Sequence, residues 1–131
     1  LVAQAAVDQG KPDTAKAALA WVVEQGKDPG YQAVARLRLA AVHADAKAWD
    51  EALKVLSAEF PASFEALAAD RRGDIHSLQG RKDQAKAEYT KAWQALDPQA
   101  EYRRLVEVKL TALGVDTQAL GGKAGEAGAK S

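Results

Sequence analysis

The chain has 131 residues, and its 18 Lys and Arg balance 18 Asp and Glu to a formal net charge of zero. That balance, with no polybasic run, argues against nucleic acid and against an anionic membrane surface. The lack of cysteine excludes disulfides, thiolate metal sites and a cysteine nucleophile; no Gly-rich phosphate loop appears either, and no cofactor is expected.

Alanine contributes 30 residues and isoleucine only one, a composition of strong helix formers with little side-chain volume for a core. Such helices must approach closely, which favours repeated small contacts over one bulky centre. Helices are predicted over 1–9, 12–25, 30–45, 47–59, 62–79, 82–96 and 99–113. Pro12 suits a first helical turn, Pro29 and Pro98 mark breaks, and Phe60-Pro61 cuts the fourth helix short. Leu113-Gly114 reads as a C-terminal cap. The chain does not open with Met and Leu1 reads as lying inside a helix, so an N-terminally truncated domain over 1–113 is expected. Residues 114–131 are Gly/Ala/Lys-rich and read as a flexible tail.

Three segments align without gaps around an Asp-x-Ala core, anchored on Ala15, Ala52 and Ala85. Four residues after each anchor stands a large side chain (Leu19, Leu56, Tyr89), and twelve before it a small one (Ala3, Ala40, Gly73). Five before the anchors are Gly10, Lys47 and Gly80, at the expected turns. The anchor spacings are 37 and 33 residues, bracketing the ~34-residue tetratricopeptide period. The expected fold is therefore all-α: a tetratricopeptide-like array of about three helix hairpins with the helix from Glu101 as a C-terminal cap. The paired small residues, Ala40 with Ala52 and Gly73 with Ala85, are expected to face one another across each hairpin.

Function in such an array sits on the concave surface lined by the first helix of each hairpin. The expected groove residues are Val34, Leu37, Ala41 and Asp45, then Leu67, Asp70, Asp74 and Ser77. Asp70 and Asp74 share one helical face, and an acid–base role is outweighed by a solvated acidic face, whose charge reversal should spare folding. His43 and His76 occupy the same repeat position, where packing is the simpler reading than a metal site without further His or Cys. The surface contains no Asn and little positive charge beyond Arg38 and Arg71, which disfavours a carboxylate clamp and favours apolar or extended client segments. The three tryptophans are expected in packing positions.

One stretch is more specific. Leu67-Ala68-Ala69-Asp70-Arg71-Arg72-Gly73-Asp74 leads to Gly80, Ala85, Tyr89 and Ala92, then to Tyr102-Arg103-Arg104-Leu105-Val106-Glu107-Val108-Lys109-Leu110 and Leu113. This resembles the bacterial ancillary SecYEG translocon subunit family, over about residues 31–113 and more loosely over 1–30. The resemblance implies a single-pass inner-membrane protein whose repeat domain lies on the periplasmic side. It implies association with SecYEG and with a membrane-anchored periplasmic chaperone, handing translocated chains onward without enzymatic activity. The competing reading is a repeat adaptor of another envelope or cytosolic assembly.

Overall fold

The computed structural model describes residues 12–120. These form seven helices: α1 Pro12–Gln25, α2 Pro29–Asp45, α3 Trp49–Leu56, α4 Glu65–Leu78, α5 Lys82–Ala95, α6 Glu101–Ala112 and α7 Thr117–Leu120. A single 3-10 turn, Ala62–Phe64, precedes α4. The helix expected over 1–9, with Ala3 and Gly10, lies outside the described residues, as does the tail from residue 121.

The turns follow from local chemistry. Pro29 opens α2, and the Asp28 carboxylate accepts hydrogen bonds from the amides of Gly30 at 2.8 Å and Tyr31 at 3.1 Å. Three helices end alike. After α2 the Ala48 amide donates to the His43 carbonyl and Lys47 to Ala44; after α4, Arg81 donates to His76 and Gly80 to Ser77. After α6, Val115 donates to Leu110 and Gly114 to Thr111. Each of these caps places one residue in the left-handed region: Lys47 at φ 60°, Gly80 at φ 75° and Gly114 at φ 85°.

α3 is shorter than the expected span of 47–59. Lys47 is committed to the preceding cap, and the Ser57 hydroxyl donates back to the Leu53 carbonyl at 2.7 Å as the helix closes. Pro61 then starts the 3-10 turn, its carbonyl accepting from the Phe64 amide, so α4 begins at Glu65 rather than at 62.

The chain falls into two compact units divided between Phe64 and Glu65. In the first, Ala15 and Leu19 of α1 pack with Ala35, Leu39 and Val42 of α2, and Val55 of α3 joins from the edge. In the second, α4, α5 and α6 close over Ala69, Ala85, Tyr89, Ala92, Trp93, Val106 and Leu110. Both cores use alanine where helices meet: Ala15, Ala52 and Ala85 are fully buried and Ala40 is 3% exposed.

Residues 114–120 depart from the expected tail. The cap at Gly114 turns the chain back, so Val115 and Leu120 pack on the second core, and Thr117 in α7 is buried. The single-pass membrane expectation does not hold for the described residues: no helix among them is long and apolar enough to cross a membrane. The longest of them, α2, has 17 residues and carries Arg36 and Arg38.

Candidate partner-binding surface

The Asp70–Asp74 pair occupies one face of α4, as its spacing requires, yet it is not a solvated acidic patch. Asp70 is fully buried, and its carboxylate is held by Lys109 of α6 at 3.0 and 3.2 Å. The Tyr102 hydroxyl, also from α6, donates to Asp70 Oδ2. Asp74, a third exposed, accepts from the Tyr89 hydroxyl of α5 at 2.6 Å and pairs with the same Lys109 ammonium at 3.0 Å. Arg71 lies 3.4 Å from Asp70 and 3.7 Å from Asp74. Two carboxylates thus face two cations, the arrangement a buried charge requires. Burial, reinforced by the hydrogen bond to Asp74, pushes the Tyr89 phenol far above its usual pKa. Burial and the bond to Asp70 do the same to Tyr102.

This cluster ties α4, α5 and α6 together and offers no free acid or base. Its carboxylates are committed to a lysine and two phenols that stay protonated at neutral pH, so its chemistry is structural. The expectation that reversing Asp70 spares folding is therefore corrected, because the new cation would sit buried beside Lys109. One sequence signal did point to Lys109: it stands between Val106 and Leu110, on the buried stripe of α6.

Gly73 is buried against the cluster, and its nearest atoms belong to Tyr89 rather than to Ala85. A Cβ at this position would stand 2.6 Å from the Tyr89 ring carbons. The small residue is needed because the opposing one is large and its hydroxyl is anchored on Asp74.

The remaining groove candidates divide. Ser77 is exposed and Leu67 half-buried in the second unit; in the first, Ala41 and Asp45 are exposed while Val34 and Leu37 are half-buried. Positions 31, 34, 38, 41 and 45 make a helical stripe of the less buried residues of α2. Beside part of that stripe is a cavity of about 690 Å³, walled by Leu19 and Val22 of α1 and by Tyr31 and Val34 of α2. Lys27, Asp28 and Arg38 are its charged lining residues. A second cavity, of about 560 Å³, follows the α5–α6 turn, where Arg103 and Arg104 alternate with Glu101 and Glu107. Its charges cancel and give it no preference for either sign.

The exposed aromatics were not legible from the sequence. Trp93 is buried as expected and Trp49 partly so, but Trp21 is 65% and Tyr31 74% exposed. Arg103 stacks 3.7 Å over the Trp93 ring and donates to the Trp93 carbonyl at 3.0 Å. His43 and His76 are partly buried, and burial lowers both of their pKa values. Among the described residues, no group of three or more His, Cys, Asp or Glu side chains is placed to hold a metal ion.

The sequence model of the tetratricopeptide repeat-like domain family matches residues 1–115. The chain is also similar to a protein of Neisseria gonorrhoeae named ancillary SecYEG translocon subunit, with 31% identity over 106 residues. That alignment covers 81% of this chain and 51% of the relative, so the chain spans about half the length of the curated relative it matches. No solved structure matches the chain.

Proposed function

Since the chain belongs to the tetratricopeptide repeat-like domain family, we propose that it is a non-catalytic protein-interaction module serving the SecYEG translocon as an ancillary component. In this reading it works on the periplasmic side of the inner membrane and passes translocated chains to a periplasmic chaperone. The observation that carries it is the 31% identity to an ancillary SecYEG translocon subunit, which runs over most of the repeat domain. The helical packing supports the interaction role, because its polar cluster is consumed in holding helices together and leaves surface rather than chemistry to act with. The α2 stripe, with Val34, Ala41 and Asp45, is the contact face in this proposal.

Affinity purification of the tagged full-length protein from mildly solubilised native membranes tests it. SecYEG should co-elute, together with a periplasmic chaperone. Recovery of a different, reproducible partner complex with SecYEG absent overturns the translocon assignment and favours the adaptor of another assembly.

A further inference from the structure

The cavity between α1 and α2 has a chemistry that selects its occupant. Its walls are aliphatic and aromatic, through Leu19, Val22, Tyr31 and Val34, and its volume of about 690 Å³ suits a few side chains. Three charged residues line it: Lys27, Asp28 and Arg38. The Asp28 carboxylate keeps its charge while its Oδ1 accepts from the Gly30 and Tyr31 amides to cap α2, so the lining is net positive by one charge. Neither cation is so engaged: among the described residues Lys27 and Arg38 have no ion-pair partner. Tyr31, the aromatic of its wall, is 74% exposed. An apolar floor beneath two cations and one capping carboxylate, net positive by one, calls for a ligand that is mostly apolar and carries one negative charge.

We propose that this α1–α2 cavity is a docking site for an extended, apolar protein segment bearing one acidic side chain. The apolar side chains enter between Leu19, Val22 and Val34 while the carboxylate meets Arg38 and Lys27. This deepens the interaction reading given above and rests on it only in taking the occupant to be a protein segment. It differs from a terminal-carboxylate clamp in placing the charge within the segment and most of the contact on apolar walls.

The test uses three fluorescently labelled peptides of one apolar sequence, with Glu, Gln or Lys at the same central position, titrated against the full chain by anisotropy. The Glu peptide should bind most tightly and the Lys peptide most weakly, about fivefold apart for an exposed charge contact. Added salt should shrink that gap. The exposed double variant Lys27→Glu/Arg38→Glu should reverse the order, and Val34→Asp should weaken all three peptides, with thermal melts verifying that both variants fold. The proposal is overturned if no peptide binds or if the charge reversal leaves the order unchanged. Peptide binding that appears only after removal of residues 121–131 also overturns it, since the chain then fills its own cavity. Self-association lost in the Val34→Asp variant would assign the cavity to a second copy and overturn it as well. Failure of SecYEG to co-purify with a chain that still ranks the peptides as expected defeats the translocon reading and leaves the docking site standing.

Discussion

Lys109 Nζ lies 3.0 Å from Asp70 Oδ1, joining residues 39 positions apart through a carboxylate that is fully buried. The pair fastens α6 onto α4, and its consequences for stability depend on which partner is removed. Lys109→Ala leaves Asp70 desolvated beside a second carboxylate and should cost about 3 kcal/mol, read as a lower urea midpoint. Asp70→Leu combined with Lys109→Met removes both charges of the pair from the cluster, leaving Asp74 with Arg71 and Tyr89 and the Tyr102 hydroxyl without its acceptor. That double variant should recover part of the Lys109→Ala loss, because no buried charge is left unpaired, yet stay below wild type, because the Tyr102 hydroxyl loses its carboxylate. A double variant as unstable as Lys109→Ala would mean that geometry, not charge balance, is what the pair supplies.

Gly73 and Tyr89 form the second tight relationship. Gly73→Ala gains helix propensity worth about 1 kcal/mol, but its Cβ would fall 2.6 Å from the Tyr89 ring. The ring cannot yield freely while its hydroxyl is held 2.6 Å from Asp74. Overpacking of this kind costs about 1–3 kcal/mol, so a net loss of stability is expected in chemical denaturation. In a Tyr89→Leu background the same Gly73→Ala change should be neutral or stabilising, since the ring it meets is gone. Equal losses in both backgrounds would place the clash elsewhere.

The repeat skeleton was legible because backbone contact imposes it on the sequence. Ala15, Ala52 and Ala85 recur at the anchor positions and are all fully buried. The turn position was equally readable, as Lys47 and Gly80, five residues before their anchors, both lie in the turns and share the left-handed conformation there. The charge cluster was not readable. Asp70 and Asp74 have the spacing of a surface pair, and only the arrival of α6 with Lys109 and Tyr102 converts that face into an interior. Periodicity reports the face a residue occupies, but not whether a later helix covers it. The exposure of Trp21 escaped for the converse reason, since a large aromatic on a helix is packed by default unless nothing covers its face.

Lys47 repeats the turn role of Gly80 and Gly114 with a side chain attached. At φ 60° it adopts a conformation that costs an L-residue about 1–2 kcal/mol relative to glycine. Lys47→Gly relieves that strain, while the added freedom of the unfolded chain takes back about 0.5–1 kcal/mol. A net gain of about 0.5–1 kcal/mol is expected, seen as a higher melting temperature. The reciprocal Gly80→Lys change should destabilise by a similar amount. No clash adds to it, because nothing lies within 4 Å of the position a Cβ would take.

The two phenols of the cluster predict an alkaline transition. Tyr89 and Tyr102 both have folded pKa values raised above the ordinary 10.0, first by burial and then by donating to Asp74 and Asp70 respectively. A raised pKa means that the folded state holds the proton more tightly than the unfolded state. The corresponding stability is fully present below pH 10 and is lost as the pH climbs above that value. Replacing both residues, Tyr89→Phe with Tyr102→Phe, removes two hydrogen bonds to charged groups and should cost about 1.5–3 kcal/mol per bond at neutral pH. The same variant should lose less further stability than wild type as the pH rises past 10, since the phenols that drive unfolding are absent. All other titrating groups are shared, so the difference between the two curves isolates these tyrosines. Denaturation midpoints measured across the alkaline range, with tyrosinate absorbance followed alongside, provide the check. Parallel curves would show that the phenols ionise in the folded state without disturbing Asp70 or Asp74.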